Sequence, residues 1–114
     1  MIIETMPNLT GLTNWQTQIV ELPQMCPVSG NPQPGSYIAI RYQPQDRFLE
    51  VYALRAYLQN YIGGWLRDGA LVRDMEQTID LIARDCAESL GVPVRVRARL
   101  ILDCGVMLRT AVAE

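Results

Sequence analysis

Residues 94–102 read Val94-Arg95-Val96-Arg97-Ala98-Arg99-Leu100-Ile101-Leu102. Val94, Val96, Ala98, Leu100 and Leu102 fall on one side, and Arg95, Arg97 and Arg99 on the other. That is the period of a strand with one buried and one solvated face. Downstream, Asp103-Cys104-Gly105 predicts a hairpin turn, and Val106, Leu108, Thr110 and Val112 alternate as a partner strand. Upstream, Gly91 and Pro93 stop a helix near 74–90 that carries Met75, Ile79, Ile82, Cys86 and Leu90 on one face. Asp68-Gly69 is a turn. Gly63-Gly64 weakens the end of an earlier helix, residues 48–62, where Leu54, Leu58 and Ile62 recur beside Ala53, Tyr57, Tyr61 and Trp65. Residues 36–42 predict a strand with Ile38, Ile40 and Tyr42 on one face. Residues 13–21 predict another, alternating around Trp15, Thr17 and Ile19. Residues 22–35 hold four prolines and two glycines and form a loop. The order is ββααββ, an antiparallel sheet with two helices on one face, an α+β pattern. Residues 1–12 are expected as a loose N-terminal arm, and 13–114 as a single domain.

Composition narrows the chemistry. The chain has 114 residues, the size of one domain. Hydrophobic residues at 49% and charged residues at 19% exclude disorder as the main state. A net charge of −2 argues against a general nucleic-acid coat. All ten cations are Arg, with no Lys and no His, so Ser–His–Asp, Cys–His and Schiff-base catalysis are excluded within the chain. The cysteines, Cys26, Cys86 and Cys104, are too few and too scattered for a disulfide framework or a zinc site. No phosphate-cradling glycine motif is present. Residues 1–9 lack a basic start and a long apolar run, and no stretch reaches the ~20 apolar residues of a membrane span. A cytoplasmic protein with reduced thiols is expected, without membrane contact. Four strands leave two open sheet edges, which predicts a homo-oligomeric ring joined edge to edge.

The loop Leu22-Pro-Gln-Met-Cys26-Pro-Val-Ser29-Gly30-Asn-Pro32, with the order of elements around it, resembles the 7-cyano-7-deazaguanine reductases (nitrile reductases, QueF) and their QueF-like amidine-forming relatives. Both have the tunnelling fold (T-fold). Cys26, Pro27, Ser29, Gly30 and Pro32 match the family's Cys-Pro-x-Thr/Ser-Gly-x-Pro-Asp motif, and the likeness extends over roughly residues 20–110. It implies that Cys26 adds to a nitrile to give a thioimide, with Ser29 beside the substrate. It implies a 7-deazaguanine ligand, free or carried in tRNA, within tRNA-modification metabolism. It also implies sites at subunit interfaces of five-fold rings, as a pentamer or a decamer of two stacked rings.

The departures from the family are as informative. Gln33 stands where the reductases keep an Asp proton donor; an amide is no acid but hydrogen-bonds a thioimide or an attacking amine, so Gln33 is expected beside Cys26 in the catalytic set. The reductases' Glu-x-Lys-x-x-Lys cofactor signature is here Glu50-Val-Tyr52-Ala-Leu-Arg55. Loss of both lysines points away from NADPH, so no cofactor is expected unless the chain reduces the nitrile. Aligning Ile79, Leu81 and Ile82 puts Glu76 where the family's Glu holds the deazaguanine edge, and Met75 where it has His. Each residue has a plainer alternative. Cys26 is a nucleophile or a small buried hydrophobe. Glu76 is a substrate acceptor or a first-turn acid favoured by the helix dipole. Glu50, Tyr52 and Arg55 bind substrate or cofactor phosphates, or form an exposed helix face. Arg95, Arg97 and Arg99 meet phosphate or line a solvated strand face. Cys86 fits the core, and Cys104 has no functional account. The function expected is nitrile-to-amidine conversion, with nitrile reduction or a non-catalytic purine- or pterin-binding module as alternatives.

Overall fold

Residues 2–114 are described, in a computed structural model. From the N-terminus the elements are β1 (Thr5–Pro7), β2 (Gln16–Glu21), β3 (Tyr37–Tyr42), β4 (Arg47–Leu49), α1 (Val51–Gln59), β5 (Trp65–Arg67), β6 (Ala70–Val72), α2 (Met75–Leu90), β7 (Val94–Ile101) and β8 (Met107–Ala113). The main sheet is antiparallel with strand order β2-β3-β7-β8. Burial alternates along β7, with Val94, Val96, Ala98 and Leu100 buried and Arg95 and Arg97 exposed. Ile38, Ile40 and Tyr42 of β3 share the buried side. Both helices pack there: Leu54, Tyr57 and Leu58 of α1 and Ile79, Ile82, Cys86 and Leu90 of α2 join one core. The result is a compact α+β fold with two helices. Among the described residues, no helix is long and apolar enough to cross a membrane.

Four short strands are additional to the elements expected. β5 and β6 form a hairpin where only a turn was legible, with Asp68 at φ 51° and Gly69 at φ 80°. β1 pairs with β4, which fastens residues 5–7 of the expected arm to the fold. Ile3 is 1% exposed, and its amide donates to the Ser89 hydroxyl on α2 at 3.2 Å. Met1 falls outside the described residues.

The first helix is shorter than the 48–62 span expected. It ends at Gln59, and residues 60–63 continue as turns. The predicted strand at 13–21 is confined to Gln16–Glu21, with Ile19 outward and Val20 packed against the core. Trp15 and Ile19 are exposed, while Gln18 points under the sheet. Gln18 is satisfied there: its Oε1 accepts from the Tyr42 hydroxyl at 2.9 Å and its Nε2 donates to the Leu49 carbonyl at 3.3 Å. A partnered amide is tolerated on the inner face of an edge strand.

Candidate functional site

Residues 22–35 cross one end of the sheet between β2 and β3, fastened by backbone hydrogen bonds at both ends. Leu22 donates to the Ser36 carbonyl at 2.9 Å, and Gln33 to the Ile101 carbonyl at 2.7 Å. Within the loop, the amides of Met25 and Cys26 both donate to the Asn31 carbonyl at 2.9 Å, and Gly30 donates to the Cys26 carbonyl at 2.7 Å. This tight return needs Gly30 at φ +73°; a Cβ there would come within 2.9 Å of Gln24 Nε2. The Asn31–Pro32 peptide bond is cis.

The return brings the Ser29 amide to 3.5 Å from Cys26 Sγ. Cys26 is half-buried and free. The Ser29 side chain, with the amides of Ser29, Val28 and Gly30, holds the Cys26 thiol below its ordinary range, against a smaller opposing effect of burial. Donors aimed at sulfur stabilise the thiolate, the nucleophilic form. The Ser29 hydroxyl also accepts from the Asn31 amide at 3.2 Å.

Gln33 lies in the same loop. Its Nε2 donates to the Ser29 carbonyl at 2.9 Å and to Asn31 Oδ1 at 3.2 Å, so the amide nitrogen braces the loop. Asn31 and Asp103, absent from the expected site, complete the brace. Asn31 Nδ2 donates to Asp103 Oδ1 at 3.1 Å, and the Asp103 amide donates to Asn31 Oδ1 at 2.8 Å. This pair ties the cysteine loop to the β7–β8 turn, in which Cys104 is exposed.

The remaining expected site residues lie elsewhere. Glu50 caps α1, accepting from the amides of Tyr52 at 3.2 Å and Ala53 at 2.6 Å. A side-chain cap of this kind is worth about 1 kcal/mol. Tyr52 is 77% exposed on the outer face of α1. Arg55 is exposed and reaches a polar hollow of about 260 Å³ beside the loop, whose walls include Glu21, Gln24, Pro34 and Gln59. Glu76 is exposed in the first turn of α2, and no hydrogen bond or ion pair joins it to the cysteine loop. Asp74 is the N-cap of that helix, accepting from Gln77 at 2.8 Å. Cys86 is fully buried in the core, and burial pushes its thiol up to about 12. Among the described residues, no group of three or more His, Cys, Asp or Glu side chains is placed to hold a metal ion.

A second polar cluster is buried between the helices and the β5–β6 hairpin. Asp85 is 2% exposed and accepts from both terminal nitrogens of the Arg67 guanidinium, at 2.8 and 3.1 Å. The Tyr57 hydroxyl donates to Asp85 at 2.5 Å, which leaves Tyr61 as the donor in the 2.6 Å Tyr57–Tyr61 contact. Burial raises both tyrosines above their usual range. Among the described residues, every buried side-chain nitrogen or oxygen has a partner.

No protein-family model and no curated protein matches this chain.

Proposed function

We propose that the chain is a QueF-like enzyme of 7-deazaguanine metabolism in which Cys26 is the nucleophile. The observation that carries this reading is the seating of Cys26 Sγ against the Ser29 amide, which together with the Ser29 side chain holds the thiol below its ordinary range and so favours the thiolate without a histidine. The thiolate attacks the nitrile carbon of 7-cyano-7-deazaguanine. A C–S bond forms, one C–N π bond breaks, and the nitrogen takes a proton, giving a thioimide. Ammonia then adds to the same carbon, the C–S bond breaks, and the thiolate leaves behind an amidine. The net change is addition of ammonia across the nitrile. No electrons are transferred, so this route needs no NADPH. Reduction to an aminomethyl group needs two hydrides, and the family's cofactor lysines are here Tyr52 and Arg55.

Gln33 is a positioning residue on this reading, holding the loop through Ser29 and Asn31. Glu76 accepts the N–H edge of the deazaguanine. Because Glu76 has no link to the Cys26 loop of its own chain, the reading assigns the pair to neighbouring copies. The antiparallel order β2-β3-β7-β8 of the main sheet, with α1 and α2 between β3 and β7 in the chain, supports a T-fold reading in which β1, β4 and the β5–β6 hairpin are additions. Both outer strands of the main sheet, β2 and β8, have an edge without a partner strand in the chain, which supports a ring joined edge to edge.

Intact-protein mass after incubation with 7-cyano-7-deazaguanine tests this directly. A gain of the whole ligand mass is expected, absent in Cys26→Ala and discharged by ammonia as the amidine. Discharge only with NADPH would reassign the chain to nitrile reduction. Ligand binding without any mass gain would make it a non-catalytic purine-binding module and overturn the mechanism.

A further inference from the structure

We propose that the open face of the main sheet binds the phosphate backbone of single-stranded nucleic acid. This rests on residues separate from the Cys26 loop and stands or falls without the nitrile chemistry.

Five of the chain's ten arginines point from this one face: Arg41 on β3, Arg95, Arg97 and Arg99 on β7, and Arg109 on β8. All are exposed except Arg99, which is half-buried. Arg41 stands directly opposite Arg95, and Arg99 opposite Arg109. The mutual hydrogen bonds between Val94 and Glu114 set the phase of the β7–β8 ladder. Counting from them, Arg99 and Arg109 form a non-hydrogen-bonded pair, the geometry with the closest side chains. Like charges directly opposite destabilise a sheet. Among the described residues, no ion pair engages any of the five; those present use Arg67 and Arg84. The acids at the margins are Glu21 on β2 and Glu114, and Glu114 faces Arg84 at 3.9 Å. Glu21 shares this face through its register with Tyr37 and Arg99, and the rest of the molecule holds five arginines against eleven acids. Positive charge is thus concentrated on one face of an otherwise acidic protein, the distribution that attracts a polyanion to one place.

Two further features select single-stranded nucleic acid. Arginines at alternate positions on a strand recur every ~6.8 Å, a regular row for an extended phosphate chain. Aromatic rings are interleaved with them. Trp15 is 61% exposed with the Arg41 guanidinium 4.8 Å from its ring centroid. Tyr37 shares a hollow of about 620 Å³ with Arg97, Arg99 and Arg109. Rows of cations with stacking platforms on an open sheet are how proteins hold single strands without reading sequence.

Fluorescence anisotropy of a labelled 20-nucleotide oligo(U) tests the assignment on the full chain. Saturable binding is expected at low salt. With all five arginines on phosphates, log K should fall against log salt with a slope of about −3.5. Arg95→Gln/Arg97→Gln should reduce that slope by about 1.4 and weaken binding roughly 25-fold at 0.1 M salt. Trp15→Ala should weaken binding roughly ten-fold and leave the slope unchanged. Arg95→Lys/Arg97→Lys, which keeps the charge, should retain the slope, and Cys26→Ala should bind as the unaltered protein. Absence of binding, indifference to the glutamine substitutions, or preference for a duplex of equal length would overturn the proposal. So would a change of oligomeric state in the glutamine variant, which would make this face a contact between copies.

Discussion

The Cys26 thiol is held below its ordinary range by neighbours close to it in the chain. The chain turns back on itself between Cys26 and Asn31, and the same return that needs Gly30 aims the Ser29 amide at sulfur. Because the folded thiol is held low, thiolate is present at lower pH than in an ordinary cysteine, and alkylation should rise early in a pH titration. Ser29→Ala removes the largest contribution, so the alkylation curve at Cys26 should move to higher pH and the rate at pH 7 should fall. Iodoacetamide labelling followed at the Cys26 peptide by mass spectrometry measures this; an unmoved curve would remove Ser29 from the account. Cys26, Ser29 and Gly30 were legible in the sequence because their contacts span three or four residues. Asn31 and Asp103 were not, since they meet across 72 positions and only the folded sheet brings the β7–β8 turn to the loop. Gln33 was legible as a lost acid, but not as a brace.

Between elements, the strongest polar link is the buried cluster of Asp85. Thr78, Asp85 and Ser89 run along the flank of the apolar stripe of α2, and all three are buried. Each has a partner outside the stripe's logic: Thr78 bonds back to the Asp74 carbonyl, Ser89 receives the Ile3 amide, and Asp85 takes Arg67 and Tyr57. Periodicity located the helix, whose core residues match the predicted face. It was silent on Asp85 because an acid beside an apolar stripe also fits a solvated margin. The β5–β6 hairpin was hidden for a related reason: each of its strands has three residues, too few for a period. Stability of the hairpin comes from Arg67 on Asp85 and from Trp65 packed edge-on against Tyr57 and Tyr61, with centroids 5.4 and 5.0 Å apart. Asp85→Ala should therefore destabilise the protein by about 3–5 kcal/mol, the range for removing one member of a buried pair. Urea denaturation gives the total, and hydrogen exchange should show the loss of protection extending through residues 65–72. A change below 1 kcal/mol would mean the cluster is solvated in the folded protein.

At the scale of the molecule, the main sheet covers one face with helices, leaves the other to arginines, and leaves two strand edges unsatisfied within the chain. Exposed edges invite pairing unless they are blocked, and neither β2 nor β8 contains a proline. The proposed ring uses these edges, and a substitution that touches only an edge can test it. Val94 and Glu114 exchange both backbone bonds, so alternate residues of β8, counting back from Glu114, direct their amides toward β7. Thr110 and Val112 are among these, while the amide of Ala111 points to the open edge. Ala111→Pro thus removes an edge donor without removing a hydrogen bond inside the chain. The unaltered protein should scatter light as an assembly several times the 12.9 kDa of one chain. Ala111→Pro should run as a monomer with an unchanged circular dichroism spectrum. If assembly uses other surfaces, the variant will keep the mass of the unaltered protein. If the unaltered protein is itself a monomer at micromolar concentration, the ring is wrong. The pairing of Cys26 with Glu76 of a neighbouring copy then fails with it, while the binding of single strands to the arginine face is untouched.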